Sequence, residues 1–124
     1  MSSNIFARKK DIVIRFKIKE EPFRKIVFET EEMPLGEDAL QMTFKYPNWH
    51  DDLFIRDRAM EIQNGVINLN ASLTKYRRFC RLLVSWNLTN EEGESLEISE
   101  ETFKEFDPEI IDSIIDKLDS FLSS

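Results

Sequence analysis

Three stretches of the sequence carry residue types that perform chemistry, and the first is His50-Asp51-Asp52. A histidine beside two carboxylates is able to bind a metal ion or to act as a base. Zinc sites draw on several cysteines and histidines, whereas this chain has one of each. We therefore predict the N-terminus of a helix, where aspartates are favourable, with Asp51 or Asp52 as its cap.

The second stretch is SWNLTNEEGESLEI, residues 85–98, which gathers carboxylates around one glycine. An EF-hand calcium loop needs oxygen ligands at its first and twelfth positions and glycine at its sixth. With Gly93 as the sixth position, the first and twelfth are Leu88 and Ser99, so the bidentate glutamate is missing. The ligand count argues against calcium.

The same stretch is typical of a helix stop followed by a polar turn. Asn87 and Gly93 are predicted to supply the backbone freedom of this structural turn, Gly93 with a positive φ. Leu96 and Ile98 alternate after it, and we expect both to return to the core beside Trp86. The carboxylates of the turn, Glu91, Glu92 and Glu94, are expected to be solvated.

The third candidate is Cys80 as a nucleophile. It lies on an apolar stripe of helical spacing, which predicts burial, and buried thiols are unreactive. Phosphate-binding loops and the G-x-S-x-G elbow of hydrolases are absent from the sequence. We therefore predict no enzyme, with no catalytic, metal-binding or cofactor-binding residues and no cofactor.

Three strands are predicted in the first part of the chain. Asp11–Lys19 alternates apolar and polar residues with a clear period of two. Residues 23–29 form a weaker second strand, so a hairpin is expected. Residues 40–46 alternate again, and Pro47 ends this third strand because proline cannot donate to the ladder.

Helical spacing follows. It predicts a helix over residues 53–63 that stops at Asn64-Gly65, a longer helix over 70–86, and a short turn capped by Ser99. Asp107-Pro108 starts a last helix. Its apolar face contains Ile110, Ile111, Ile114, Ile115, Leu118, Phe121 and Leu122.

Strands followed by helices predict an α+β fold. We expect a small N-terminal antiparallel sheet of about three strands packed with three to four C-terminal helices. The length of 124 residues predicts a single domain over 1–124, mainly β in 1–47 and mainly α in 48–124.

The net charge of −7 is unevenly distributed. Residues 1–30 carry an excess of four positive charges, and residues 87–124 carry an excess of ten negative charges. An acidic C-terminal third repels phosphates, so nucleic acid is not an expected partner. The basic segment is able to pair with the acidic third of a neighbouring copy, which leaves a homo-oligomer open.

Localisation is predicted from three features. No apolar run approaches the roughly 18 residues that cross a bilayer, so no membrane association is expected. The first ten residues lack the apolar segment of a secretory signal. A single cysteine excludes an internal disulfide. These features fit a soluble, intracellular protein in a reducing compartment.

The order of motifs resembles the tail assembly chaperones and related tail accessory proteins of long-tailed bacteriophages. It comprises FKYPNWHDD (44–52), a charged helix, RLLVSWNLTNEEGESLEISEETF (81–103) and a final helix after Asp107-Pro108. In that family a helix ends in tryptophan with a polar neighbour, and the turn D/E-x-G-x-x-L-x-(I/V/L) follows. The resemblance covers residues 43–122. The matching positions are Trp86, Asn87, Leu88, Gly93, Leu96 and Ile98.

The resemblance implies a non-enzymatic protein that binds the tape measure protein, keeps its long apolar helices soluble, and helps to recruit tail tube subunits. A helix-in-groove contact suits such a partner. The hypothetical groove is framed by the end of the second helix and by the last helix. Its predicted partner-binding residues are Phe79, Leu82, Trp86, Leu88, Ile111, Ile115 and Leu118.

Two other functions are weighed against the chaperone. A structural virion subunit, of the tail terminator or head–tail connector type, would form rings by adding the edge of strand 11–19 to a neighbouring sheet. A nucleic-acid module would use basic side chains of the first 19 residues. That module ranks last, because the chain is acidic and lacks a known reader motif.

Overall fold

A computed structural model describes residues 5–63, 66–69 and 71–123, and side chains there outside 58–72. The chain separates into two compact units, each built from two segments. One unit comprises Ile12–Thr43 and Val84–Ser124, and is called the sheet unit here. The other comprises Met1–Asp11 and Phe44–Leu83, and is called the helical unit. The prediction of a single domain stays a prediction.

A four-stranded sheet forms the basis of the sheet unit. Its strands are β1 (Asp11–Lys19), β2 (Lys25–Phe28), β3 (Leu40–Lys45) and β6 (Leu83–Trp86), in the order β2-β1-β3-β6. The predicted hairpin is confirmed, because β1 and β2 pair antiparallel with Phe16 opposite Phe28.

One face of this sheet is apolar because the strands alternate. Ile12, Ile14 and Phe16 of β1 are each 2% exposed, whereas Val13 between them is 45% exposed. Met42 of β3 is equally buried, at 2%. Burial of such side chains contributes about 1.5–3 kcal/mol each, which is the main force that holds the sheet in place.

Two helices complete the sheet unit, α3 (Glu100–Phe103) and α4 (Pro108–Leu122). The predicted caps are confirmed. The Thr102 N–H donates to Ser99 Oγ, and the Glu109 N–H donates to Asp107 Oδ1, with Pro108 at the first helical position. The apolar face of α4 buries Ile114, Ile115 and Leu118.

The helical unit contains α1 (Trp49–Ala59), β4 (Met60–Gln63), β5 (Val66–Leu69) and α2 (Ala71–Leu82), with β4 and β5 paired antiparallel. Helix α1 begins earlier than predicted, because Asn48 caps it. The Asp51 N–H donates to Asn48 Oδ1, and the Asn48 N–H donates to Asp51 Oδ2. This is a reciprocal capping box in which Asp51 is the third helical residue rather than the cap.

The α+β class is confirmed, with two corrections to the elements. The helix predicted over 53–63 ends at Ala59, and 60–63 form β4. The helix predicted over 70–86 ends at Leu82, and its last residues form β6, which joins the sheet next to β3. The predicted stop at Asn64-Gly65 and start at residue 70 lie outside the described residues. Among the described helices, none is long and apolar enough to cross a membrane.

Candidate functional site

An apolar cleft lies in the sheet unit between the sheet and the start of α4, and is called the α4 cleft here. Its volume is about 190 Å³. Aliphatic and aromatic side chains provide most of its wall. They are Phe16, Ile18, Leu40, Met42, Leu88, Phe106, Ile110, Ile111 and Ile114.

The sequence places these side chains together through two periodicities. The period of two in β1 and β3 directs Phe16 and Met42 to the same face of the sheet. The helical spacing of α4 directs Ile110, Ile111 and Ile114 toward one side of the helix. The cleft therefore lies along the first turns of α4, next to its cap Asp107.

Part of the cleft wall is charged. Arg24, Glu105 and Asp107 are its charged lining residues. Arg24 Nη1 donates to Asp107 Oδ2 at 2.9 Å, and Arg24 Nε lies 3.3 Å from Glu20 Oε1. The wall therefore contains an arginine that is paired with Asp107 and with Glu20.

A second, more polar cavity of about 290 Å³ adjoins the same ion pair. Arg24, Asp107 and Ile110 line both cavities. The remaining residues of the second cavity are Lys25, Ile26, Glu109 and Ser113. An apolar space and a polar space thus share the Arg24–Asp107 pair as a common wall.

Trp86 stabilises the segment that leads into the cleft. Its indole N–H donates to the Leu96 carbonyl oxygen at 2.8 Å. Its ring meets Phe103 and Phe106 edge-on, with ring centroids 6.0 Å and 5.7 Å away. Trp86 is half-buried and holds Phe106, a cleft residue, against the turn.

Asn87 joins β6 to β3 through its side chain. Its Oδ1 accepts from the Gln41 N–H at 2.7 Å, and its Nδ2 donates to the Ala39 carbonyl at 3.1 Å. Its own N–H donates to the Gln41 carbonyl. Asn87 therefore extends the strand pairing by one residue, which differs from the loop-forming role predicted for it.

The acidic turn is closed by local hydrogen bonds. Asn90 Oδ1 accepts from the N–H groups of Glu92 and Glu94. The positive φ predicted for Gly93 is confirmed at +82°. The carboxylates of the turn, on Glu91, Glu92 and Glu94, are exposed, as expected. Leu96 is half-buried, but the prediction that Ile98 returns to the core is wrong, because Ile98 is 38% exposed.

The predicted partner-binding residues divide between the two units. Phe79 and Leu82 are 3% and 0% exposed, and Phe79 packs edge-on against Phe44 with ring centroids 5.6 Å apart. These two are core residues of this structure rather than an exposed edge. Leu88 and Ile111 line the α4 cleft.

The remaining predicted residues, Trp86, Ile115 and Leu118, do not line the α4 cleft. Ile115 and Leu118 are 6% and 0% exposed, and Trp86 is half-buried. The end of α2 and α4 belong to different units, and the groove expected between them stays a prediction. Of the seven predicted residues, only two are placed where a partner in the cleft would touch them.

The sequence did not single out Phe16, Ile18, Leu40 and Met42 as site residues, although they line the cleft. The alternation of apolar and polar residues marked them as the buried face of their strands, and this was the signal available in the sequence. It gave no indication that α4 would leave a space above them.

Asp51 is a buried charged group of the helical unit, with 2% of its side chain exposed. Its carboxylate meets Arg81 Nε at 2.8 Å and Lys45 Nζ at 3.2 Å. Desolvation, the largest influence, raises the pKa of Asp51. Hydrogen bonds from Asn48, Arg81 and Lys45 together outweigh it, so the pKa lies below its usual 3.8. A carboxylate held this way is an anchor for α1 and α2 and a poor general base.

His50 is exposed, and Cys80 is half-buried rather than fully buried as predicted. Among the described residues, no three His, Cys, Asp or Glu side chains are grouped as a metal site would require.

Comparison of the chain with protein-family models, with curated proteins and with solved structures gave no match.

Proposed function

We propose that this protein is a non-enzymatic tail assembly chaperone of a long-tailed bacteriophage. It binds the tape measure protein in the host cell cytoplasm and assists assembly of the tail tube. The observation that carries the proposal is the α4 cleft. The motif order of residues 43–122, which resembles that of tail assembly chaperones, supports the choice of family.

The size of the cleft supports a contact with one large side chain. An apolar cavity of about 150 Å³ is enough to hold benzene. The 190 Å³ of the α4 cleft therefore accommodates one leucine or phenylalanine side chain. A tape measure protein is a long helix with apolar stripes, and such helices present single side chains at regular intervals. Several copies of the chaperone, each holding one such side chain weakly, would together keep a long apolar helix soluble.

The charge of the sheet unit supports the same function. Its two segments contain 7 Lys and Arg against 19 Asp and Glu, a net charge of −12. A strongly acidic surface around an apolar site keeps a bound apolar helix dispersed and repels DNA.

Co-expression with the tape measure protein of the same phage tests the proposal. The wild-type chain is expected to retain the tape measure protein in the soluble fraction and to co-purify with it. Ile111→Phe and Leu88→Trp fill the cleft and are expected to abolish co-purification.

Val13→Phe is the matched control, because Val13 is 45% exposed on β1 and does not line the cleft. Thermal unfolding of each variant separates blocked binding from lost folding. A wild-type chain that leaves the tape measure protein insoluble would contradict the chaperone function. Equal co-purification by folded cleft and control variants would contradict the cleft as its site.

A second function, a structural virion subunit, is favoured by one observation. The expectation that strand 11–19 offers the free edge is wrong, because β1 lies between β2 and β3. The strand order instead leaves β6 at an edge of the sheet, where Val84 is 53% exposed. Edge strands join subunits by adding to a neighbouring sheet. Mass spectrometry of purified particles distinguishes the two functions. A stoichiometric copy number in mature particles favours the subunit, and absence from them favours the chaperone.

A further inference from the structure

The Arg24–Asp107 pair occupies a position where a partner's own cation would bind. The two oxygens of Asp107 have separate tasks. Oδ1 caps α4 by accepting from the Glu109 N–H at 3.0 Å, and Oδ2 accepts from Arg24 Nη1 at 2.9 Å. An exchange of partners at Oδ2 therefore leaves the helix cap in place.

Arg24 is held loosely enough to be exchanged. Its side chain is 52% exposed, and that of Asp107 is 28% exposed. Ion pairs with such exposure contribute little to stability, because water solvates both charges and holding the long side chain costs entropy. When Arg24 leaves Asp107, its guanidinium retains Glu20, whose Oε1 lies 3.3 Å from Nε.

The surroundings favour a positive replacement. Glu105 lines the apolar cleft and Glu109 lines the polar cavity, on either side of Asp107. The unit as a whole carries the net charge of −12 derived above. A lysine or arginine that approaches this wall meets three carboxylates and one neighbouring cation, Lys25 of the polar cavity, so the balance favours a cation. The apolar space lies directly next to this wall.

We propose that the α4 cleft recognises a helical segment in which a large apolar side chain is followed, one turn later, by lysine or arginine. The apolar side chain fills the α4 cleft, and the cation binds Asp107 Oδ2 in place of Arg24. Arg24 is thus an internal competitor that closes the site when no partner is bound. This inference rests on the proposed function and adds the chemistry of the segment that is bound.

Two synthetic helical peptides of 18 residues serve as probes. The first carries leucine with lysine four residues later on an otherwise alanine- and glutamine-rich helix, and the second has glutamine in place of that lysine. Calorimetric titration of the full chain is expected to give tighter binding of the lysine peptide. The preference should shrink at high salt, because exposed charges are screened.

Variants of the ion pair give opposite results under this proposal. Arg24→Gln removes the competitor and is expected to tighten binding of the lysine peptide by about threefold to fivefold, with little effect on the glutamine peptide. Asp107→Ser keeps a good N-cap residue while removing the charge. The affinity of this variant for the lysine peptide is expected to fall to its affinity for the glutamine peptide. Arg56→Gln is the control, since Arg56 is an exposed arginine in the helical unit.

The outcomes separate this inference from the proposed function. Equal affinity of both peptides, with binding abolished by Ile111→Phe, overturns the role of the cation and leaves the chaperone function standing. If the Arg24→Gln variant binds the lysine peptide more weakly than the wild-type chain does, Arg24 is not a competitor for Asp107. If neither peptide binds while the tape measure protein co-purifies through the cleft, the segment chemistry is wrong. If neither peptide binds and the tape measure protein does not co-purify through the cleft, the cleft is not the binding site.

Discussion

At the scale of single residues, Asp51 combines burial with charge. Its carboxylate is 2% exposed and joins α1 to Arg81 of α2 and to Lys45. A buried charge is tolerated only when hydrogen bonds replace the water it loses. The capping box with Asn48 and the two cations do so, and the arrangement fixes the position of the α1 N-terminus.

Asp51→Asn is expected to lower the free energy of unfolding by about 2 kcal/mol, because two cations lose their buried partner. Asp52, whose side chain is 41% exposed and lies 3.0 Å from Arg56, provides the control. Asp52→Asn should cost less than about 0.5 kcal/mol. Urea denaturation measures both, and equal values would show that Asp51 is not an anchor.

The same residue gives the chain a dependence on pH. Since the folded-state pKa of Asp51 is lowered from 3.8, the unfolded state binds the proton more readily. Its stabilising contribution is complete above pH 3.8 and declines as the pH falls toward the folded-state pKa. Asp51→Asn should therefore flatten the loss of stability below that pH. An unchanged slope in urea denaturation at pH 2–5 would contradict this cause.

We expect Trp86 to contribute to the free energy of unfolding as well as to binding of the tape measure protein. Trp86→Phe loses the hydrogen bond to the Leu96 carbonyl, and a cost of about 1 kcal/mol is expected. Trp86→Ala also loses the contacts with Phe103 and Phe106, which raises the cost to about 3 kcal/mol.

Trp49 offers the comparison, because it is 79% exposed and its replacement by alanine should be nearly neutral. Chemical denaturation followed by circular dichroism checks all three variants. A Trp86→Ala chain of wild-type stability that fails to bind the tape measure protein would instead make Trp86 a direct contact residue.

At the scale of elements, β6 depends on pairing with a distant part of the chain. Four residues alone do not form a stable strand, and the Asn87 side chain adds two hydrogen bonds to the β3 segment. The sheet is completed where β6 joins β3, and Leu88 follows directly into the α4 cleft.

Asn87→Ala is expected to cost about 1 kcal/mol and to loosen this edge of the sheet, because the Gln41 N–H loses its acceptor. Hydrogen exchange at Gln41 should accelerate, while exchange in the β1–β2 hairpin should stay unchanged. Unaltered protection of Gln41 would show that the backbone pairing alone holds β6.

At the scale of the whole molecule, charge is divided between the two units. The helical unit contains 10 Lys and Arg against 5 Asp and Glu, a net charge of +5, whereas the sheet unit carries −12. The basic residues of β1 belong to the acidic unit, where Arg15 binds Glu29 at 2.6 Å and Lys17 binds Asp38 at 3.1 Å. The division follows the fold rather than the order of the chain.

Repulsion within the sheet unit predicts a response to salt. An increase from 0.05 to 0.5 M NaCl screens its excess carboxylates and is expected to raise the melting temperature by about 3–5 °C. Differential scanning calorimetry measures the shift. A melting temperature that falls with salt would show that ion pairs such as Arg15–Glu29 outweigh the repulsion.

The sequence by itself determined the elements whose signals are local. The alternation of Asp11–Lys19 predicted β1 with its observed bounds, and Asp107-Pro108 predicted the start of α4. These signals are reliable because period and capping depend on neighbours within one or two turns. Gly93 belongs to the same class, since its positive φ is a property of one residue.

Only the tertiary structure decided which surfaces cover one another. Residues Leu83–Trp86 continue the helical spacing of α2, yet they form a strand because β3 offers them backbone partners. Phe79 and Leu82 became core for a related reason, since apolar spacing marks a face without stating what packs on it. The α4 cleft and its Arg24–Asp107 pair join positions 83 residues apart, and no local pattern encodes that contact.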